Sequence, residues 1–147
     1  MRILAVLIVA CAGLASAEKR LKLADLPAAV QSTVRQELKG GEIKSISKET
    51  EKGVTQFEVE SMLNGKHRDF NIDTKGTLVT LEEEISLDAI PAAAKDALLK
   101  KVAGGKLGTV EVVTKSGGAT SYEASYVSKG GKKHEFAVTA AGAPVKN

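Results

Sequence analysis

Between Pro27 and Gly41 the apolar residues fall at Val30, Val34 and Leu38, one stripe at helical spacing, while Gln31, Arg35 and Glu37 point elsewhere. Proline suits the first position of such a helix because its missing N–H has no intrahelical partner there. Gly40-Gly41 supplies the left-handed conformation that closes a last turn. The pattern predicts a helix over Pro27 to Lys39. After it the period changes. Ile43 to Thr50 predicts a strand and Glu51-Lys52-Gly53 a turn; Gln56 to Leu63 alternates, with Phe57 and Val59 on one side and Gln56, Glu58 and Glu60 on the other. Asn64-Gly65 provides both positive-φ residues of a tight type I′ turn. Lys66 to Asp73 therefore returns as a third strand, with Phe70 and Ile72 on the apolar side. Asp73-Thr74-Lys75-Gly76 turns again into a fourth, Thr77 to Glu82, which carries Val79 and Leu81.

The same succession restarts 64 residues later. Leu23-Ala24-Asp25-Leu26-Pro27-Ala28-Ala29-Val30 returns as Leu87-Asp88-Ala89-Ile90-Pro91-Ala92-Ala93-Ala94, and Gly40-Gly41 returns as Gly104-Gly105. One inserted residue aligns Phe57-Glu58 with Tyr122-Glu123; a second aligns Phe70 and Ile72 with Phe136 and Val138, and Gly76 with Gly142. A helix over Pro91 to about Val102 follows, with strands over Lys106 to Thr114, Ser121 to Val127 and Lys132 to Thr139. A short last strand is expected near Pro144-Val145, where proline confines it to an edge or a strand end. The expectation is an α+β fold of two tandem repeats, residues 23–84 and 85–147, each one helix packed on a four-stranded antiparallel meander. Glu82-Glu83-Glu84-Ile85-Ser86 is then a solvated strand end and linker.

Ahead of the first copy, Met1-Arg2 precedes an apolar run, Ile3 to Leu14, and the small residues Ala15-Ser16-Ala17. These are the parts of a secretory signal over residues 1–17, too short to span a bilayer, with cleavage after Ala17. The competing expectation is a lipoprotein anchored through Cys11, which leaves only Ile3 to Ala10 as the apolar stretch. Cleavage after Ala17 removes the one cysteine and with it any disulfide or thiolate. About 130 residues remain, enough for one ordinary domain. A free-standing half of about 60 residues would bury only about 60% of its unfolded surface, so the halves are expected to pack together. The formal net charge of +3 becomes +2 without Arg2, and acidic and basic residues interleave. Such a surface is solvated and is neither a nucleic-acid nor a membrane footprint. The expected location is periplasmic or secreted, with no membrane span in the mature chain.

Catalysis needs a nucleophile or an acid–base pair held by a third group. The two histidines, His67 and His134, fall on third strands of different copies, one facing away from Phe70 and the other in phase with Phe136. No catalytic residue is assigned, and an enzyme is not expected. The densest polar grouping is the outward face of the first hairpin, Glu58, Glu60, His67 and Asp69, with Asn71 and Asp73 beside them. Carboxylates and imidazole at close range hold Zn²⁺ or Ca²⁺. Alternation along a half-buried strand also places polar residues there unaided, and the second copy offers only Glu123, Ser125, Glu135 and Thr139. No metal and no cofactor are therefore assigned, and Glu58, Glu60, His67 and Asp69 stand as a candidate face. Lys100-Lys101 complements a helix C-terminus; Lys129, Lys132 and Lys133 discourage edge pairing.

Several segments resemble the PepSY-like domains of exported bacterial proteins. They are Leu26-Pro27-Ala28-Ala29-Val30 opening a helix, the Gly40-Gly41 stop, Phe57-Glu58-Val59-Glu60, Asn64-Gly65-Lys66, Phe70-Asn71-Ile72-Asp73 and the Lys75-Gly76 turn. The tandem arrangement over residues 23 to 145 is similar to the duplicated fold of the β-lactamase-inhibitor protein. The resemblance implies binding roles. PepSY units occur in propeptides of thermolysin-type metallopeptidases, where they restrain peptidases, and the β-lactamase inhibitor docks a concave sheet surface onto an enzyme. No catalytic residue comes with the resemblance. Interface hot spots are rich in Trp, Tyr and Arg, whereas this chain has no Trp and keeps most of its Phe and Tyr in phase with the core. The resulting expectation is an exported, cofactor-free, non-enzymatic protein-binding module that restrains a peptidase or another envelope enzyme through its exposed sheet surface. Its partner would be another exported or envelope protein. The alternative is an envelope sensor that binds a small ligand or a divalent metal on the acidic face.

Overall fold

The computed structural model describes residues 20–51 and 53–145; the signal segment, its cleavage after Ala17 and Cys11 lie outside them. Two helices, α1 (Ala28–Leu38) and α2 (Ala92–Val102), lie on one face of a single antiparallel sheet. Its strands are β1 (Glu42–Glu51), β2 (Val54–Leu63), β3 (Lys66–Asp73), β4 (Leu78–Glu84), β5 (Lys106–Lys115), β6 (Thr120–Val127) and β7 (Lys133–Val138). They are hydrogen-bonded in sequence order. A one-turn 3-10 helix, Leu23–Asp25 or Leu87–Ala89, precedes each α-helix. Pro27 and Pro91 stand one position earlier than expected, as the capping residues, with ψ of 145° and 141°. At Asn64-Gly65 φ is 54° and 79°, the left-handed pair that a two-residue hairpin turn requires.

Two features of the sequence reading are corrected. Glu82 to Ser86 is no linker between separate sheets. β4 runs through Glu84 and pairs with β5, from Thr80 opposite Lys115 to Glu84 opposite Glu111, so the two halves share one sheet. Burying an otherwise open strand edge satisfies its backbone donors and acceptors, which a free linker would leave to water. Among the described residues the second half also forms no fourth strand. Pro144 makes only an isolated bridge to Val138, with the Val145 N–H donating to the Ala137 carbonyl at 2.9 Å. Proline has no N–H with which to continue a ladder.

The core is double. Leu26, Val30 and Val34 pack on Ile46, Phe57, Val59, Phe70 and Ile72, while Ile90, Ala94 and Leu98 pack on Val110, Ala124 and Val138. Each helix starts against a glycine turn. A Cβ on Gly76 would sit 2.8 Å from the Ala29 carbonyl oxygen, and one on Gly142 2.5 Å from that of Ala93. Thr33 Oγ1 donates to the Gly76 carbonyl at 2.6 Å, fixing α1 on the β3–β4 turn.

One charged group lies beneath the first helix. Arg68 is only 2% exposed. Its Nε donates to the Glu37 carbonyl and its Nη2 to the Glu37 carboxylate, both at 2.9 Å, and its Nη1 pairs with Glu83. The guanidinium thus ties the end of α1 to β3 and β4, and burial is tolerated because each side of the fork meets an acceptor.

Candidate functional site on the open face

The face opposite the helices carries the site. Alternation sends Phe57, Val59, Phe70, Ile72, Val110 and Ala124 toward the helices, so their neighbours face outward. Because β4 pairs with β5, the outward residues of both halves form one surface. It curves into a trough of about 720 Å³ that draws its walls from β2 through β7. Seven carboxylates line it, those of Glu58, Glu60, Asp69, Glu82, Glu111, Glu123 and Glu135, against two lysines, Lys115 and Lys133.

Of the residues singled out from the sequence, Glu58, Glu60, His67 and Asp69 all line this trough. The Glu60 carboxylate accepts from Ser45 Oγ at 2.6 Å, that of Glu58 from Ser47 Oγ at 3.2 Å, and that of Asp69 from the Ser61 N–H at 2.8 Å. His67 Nδ1 is 3.9 Å from the Asp69 carboxylate, with its ring half exposed. Asp73 departs from the expected cluster. Its carboxylate accepts the Lys75 and Thr77 N–H groups at 2.8 Å each, and the Thr77 bond leads in holding it below its ordinary range. In the second half Glu123, Ser125 and Glu135 reach the trough. Thr139 instead accepts the Ala143 N–H at 3.3 Å within the last turn. The two histidines do not meet, having three strands between them; His134 stacks on Tyr126 with ring centroids 5.1 Å apart. Among the described residues no three His, Cys, Asp or Glu side chains are grouped to hold a metal ion.

Sequence reasoning missed the middle of the site: Thr80, Glu82 and Glu111. Asp69 stands directly opposite Glu82, Glu84 opposite Glu111, and Glu111 opposite Glu123. The signal was an outward acid on each strand, Glu82 in β4 and Glu111 in β5, which becomes meaningful only once those strands are paired. Burial, and then the Glu123 and Glu111 carboxylates, push the Glu82 carboxyl up to about 8. Glu58 rises to about 7 through burial and then Glu49, and Glu111 to about 7 through burial and then Asp69 and Glu123. Burial raises Asp69 and Glu123 as well. Half-buried carboxylates facing one another favour the protonated form.

These features define an α+β protein with one antiparallel meander sheet, helices on one face and an open, concave, acidic face on the other. In fold it is similar to several solved structures from Bacteroides. They include a presumed periplasmic protein from Bacteroides eggerthii (TM-score 0.65, 16% identity, 82% of this chain and 86% of that one) and a DUF2874 family protein from Bacteroides ovatus (0.61, 17%, 82% and 85%). A BLIP-like protein from Bacteroides fragilis is also similar (0.55, 17%, 82% and 84%). No protein-family model matches the sequence, and no curated protein matches it. No helix among the described residues is long and apolar enough to cross a membrane.

Proposed function

We propose that the protein is an exported, non-enzymatic binding module that docks another envelope or secreted protein on the open face of its sheet. The carrying observation is the concave trough built from both halves, with the helices withdrawn to the opposite side. Such a surface presents rigid strand residues to a partner without needing the core to move. The module consists of two PepSY-like units, residues 23–84 and 85–147, the second completed by a bridge in place of a strand. The paired cores and the matched approaches of Gly76 to Ala29 and Gly142 to Ala93 support that duplication. A cleaved signal over residues 1–17 puts the module in the periplasm or outside the cell, and restraint of an envelope enzyme is the role its family resemblance implies.

The test places a photo-crosslinking amino acid at Ser125 on the open face and, in a second variant, at Gln31 on α1. In the producing cell, a discrete adduct from Ser125 and none from Gln31 is expected. Equal adducts from both positions, or an adduct from Gln31 alone, would refute docking through the sheet.

A further inference from the structure

The acidic residues of the open face run diagonally, from Glu58 on β2 through Asp69 on β3, Glu82 on β4 and Glu111 on β5 to Glu123 on β6. Two of the four steps of this stripe, Asp69 to Glu82 and Glu111 to Glu123, are directly opposed like charges across a strand pair, and the step between them is diagonal because Val113 stands opposite Glu82. Such pairs destabilise a sheet. Among the described residues no lysine or arginine forms a salt bridge with any of the five, and the imidazole of His67 lies 3.9 Å from the Asp69 carboxylate. A second, independent feature lies beside Glu82 on the same strand. Thr80, only 3% exposed and in the trough wall, has an Oγ1 with no hydrogen-bond partner. Buried hydroxyls almost always have one. Acids crowded with no lysine or arginine in ion-pair contact, beside an orphan hydroxyl, describe a face that a cationic guest would complete.

We infer that the stripe seats a lysine- or arginine-bearing extended segment of the protein partner, with its cationic side chains laid across Glu58, Asp69, Glu82, Glu111 and Glu123 and a donor on Thr80. This deepens the proposed docking function and rests on it. Shape argues for a segment over a single ion. Five strands spaced about 4.8 Å apart make a stripe roughly 20 Å long, and no three of its ligands converge as a metal shell requires. An extended peptide sends alternate side chains to one face at about 7 Å intervals, which matches the two diagonal steps of the stripe, Glu58 to Asp69 and Glu82 to Glu111. Long lysine and arginine stems also cover the apolar floor at Val113 while their charged heads reach the carboxylates.

Occupancy then depends on pH. The groups facing Glu82 are Glu58 and Asp69 from one side and Glu111 and Glu123 from the other, with Lys115 in the wall and His67 on Asp69. Acidification neutralises the raised carboxyls of Glu58, Glu82 and Glu111, which releases a cationic guest.

Isothermal titration of the purified protein at low ionic strength and about pH 8.5 tests the inference. The probe is an end-blocked peptide of alternating lysine and serine, compared with its glutamine-for-lysine twin. The lysine peptide is expected to bind at least about tenfold more tightly than the twin, and to lose about tenfold in the Glu82→Gln, Glu111→Gln double variant. Glu42→Gln, outside the trough, should leave binding unchanged. Lowering the pH to about 5.5 should weaken the unaltered protein far more than the double variant. Equal binding of the two peptides, or undiminished binding by the double variant, overturns the inference. So does displacement of the lysine peptide by calcium chloride at matched ionic strength. If the peptide fails while the Ser125 adduct persists, the cationic guest is wrong and docking on this face stands; if both fail, the docking reading falls too.

Discussion

The two faces of this sheet treat charge in opposite ways. Beneath α1, Arg68 is almost fully enclosed and each side of its guanidinium meets Glu37 or Glu83. On the other face Glu82 and Glu111 are half buried, and they stand opposite Asp69 and Glu123 across the strands. The helix-covered face therefore carries its ions as a completed lock, while the open face carries them unbalanced. Sequences keep such local conflicts chiefly where function requires them. The difference between the faces separates what holds the fold together from what the fold offers to a partner.

The largest break in that contrast comes from Arg68→Ala. Its removal leaves two carboxylates facing each other at the end of α1 and a void beneath the helix. Removing one member of a buried pair destabilises by about 3–5 kcal/mol; because Glu37 and Glu83 retain some solvent contact, about 3 kcal/mol is expected here. Chemical denaturation measures it. Adding Glu37→Gln and Glu83→Gln to Arg68→Leu should recover much of the loss, because no uncompensated charge then remains. If the triple variant is as unstable as Arg68→Ala, the loss is one of packing and not of charge.

Next in size is the docking of α2 onto the same face. Gly142 has φ of 78°, and a Cβ there would press 2.5 Å from the Ala93 carbonyl oxygen, whereas Gly131, with φ of 80°, has open space around it. Gly131→Ala should lose about 1 kcal/mol, from the left-handed backbone alone. Gly142→Ala should lose roughly 2 kcal/mol, since collision with the helix adds to that strain. Equal losses in thermal melts would mean that the close approach adds no strain of its own.

Most of the helix-covered side was legible in the sequence. Val30, Val34 and Leu38 gave the helix its period, Phe57 and Val59 the strand its own, and Asn64-Gly65 the hairpin. Each is a local signal read within a dozen residues. The open face was legible only within the first hairpin, at Glu58, Glu60, His67 and Asp69. Its centre depends on β4 meeting β5, a contact between residues more than 25 apart along the chain. Nothing local announces that pairing, and a run such as Glu82-Glu83-Glu84 looks like a solvated end until a neighbouring strand half-buries its first member. Arg68 escaped notice for a related reason. Alternation put it in phase with Phe70, but only the tertiary approach of Glu37 explains how a cation can occupy that position.

The smallest effect has the opposite sign and sharpens the contrast most. A carboxyl whose pKa rises on folding keeps a proton where the unfolded chain has already lost one. Stability from that group is intact below the unfolded value and declines as pH rises through the folded value. With Glu58 and Glu111 near 7 and Glu82 near 8, the melting temperature should fall between about pH 5 and about pH 8.5. Glu82→Gln removes one share of that decline. The variant should match the unaltered protein at about pH 5, where Glu82 is protonated, and exceed it by about 1 kcal/mol at about pH 9, where the charge is exposed to its acidic neighbours and half withdrawn from water. An equal gain at both pH values would trace the effect to packing, and a loss at high pH would mean that the carboxylate already has a favourable partner in the free protein. A gain confined to high pH would show that the open face is held in a charged state the fold itself disfavours, as a surface awaiting a cation should be.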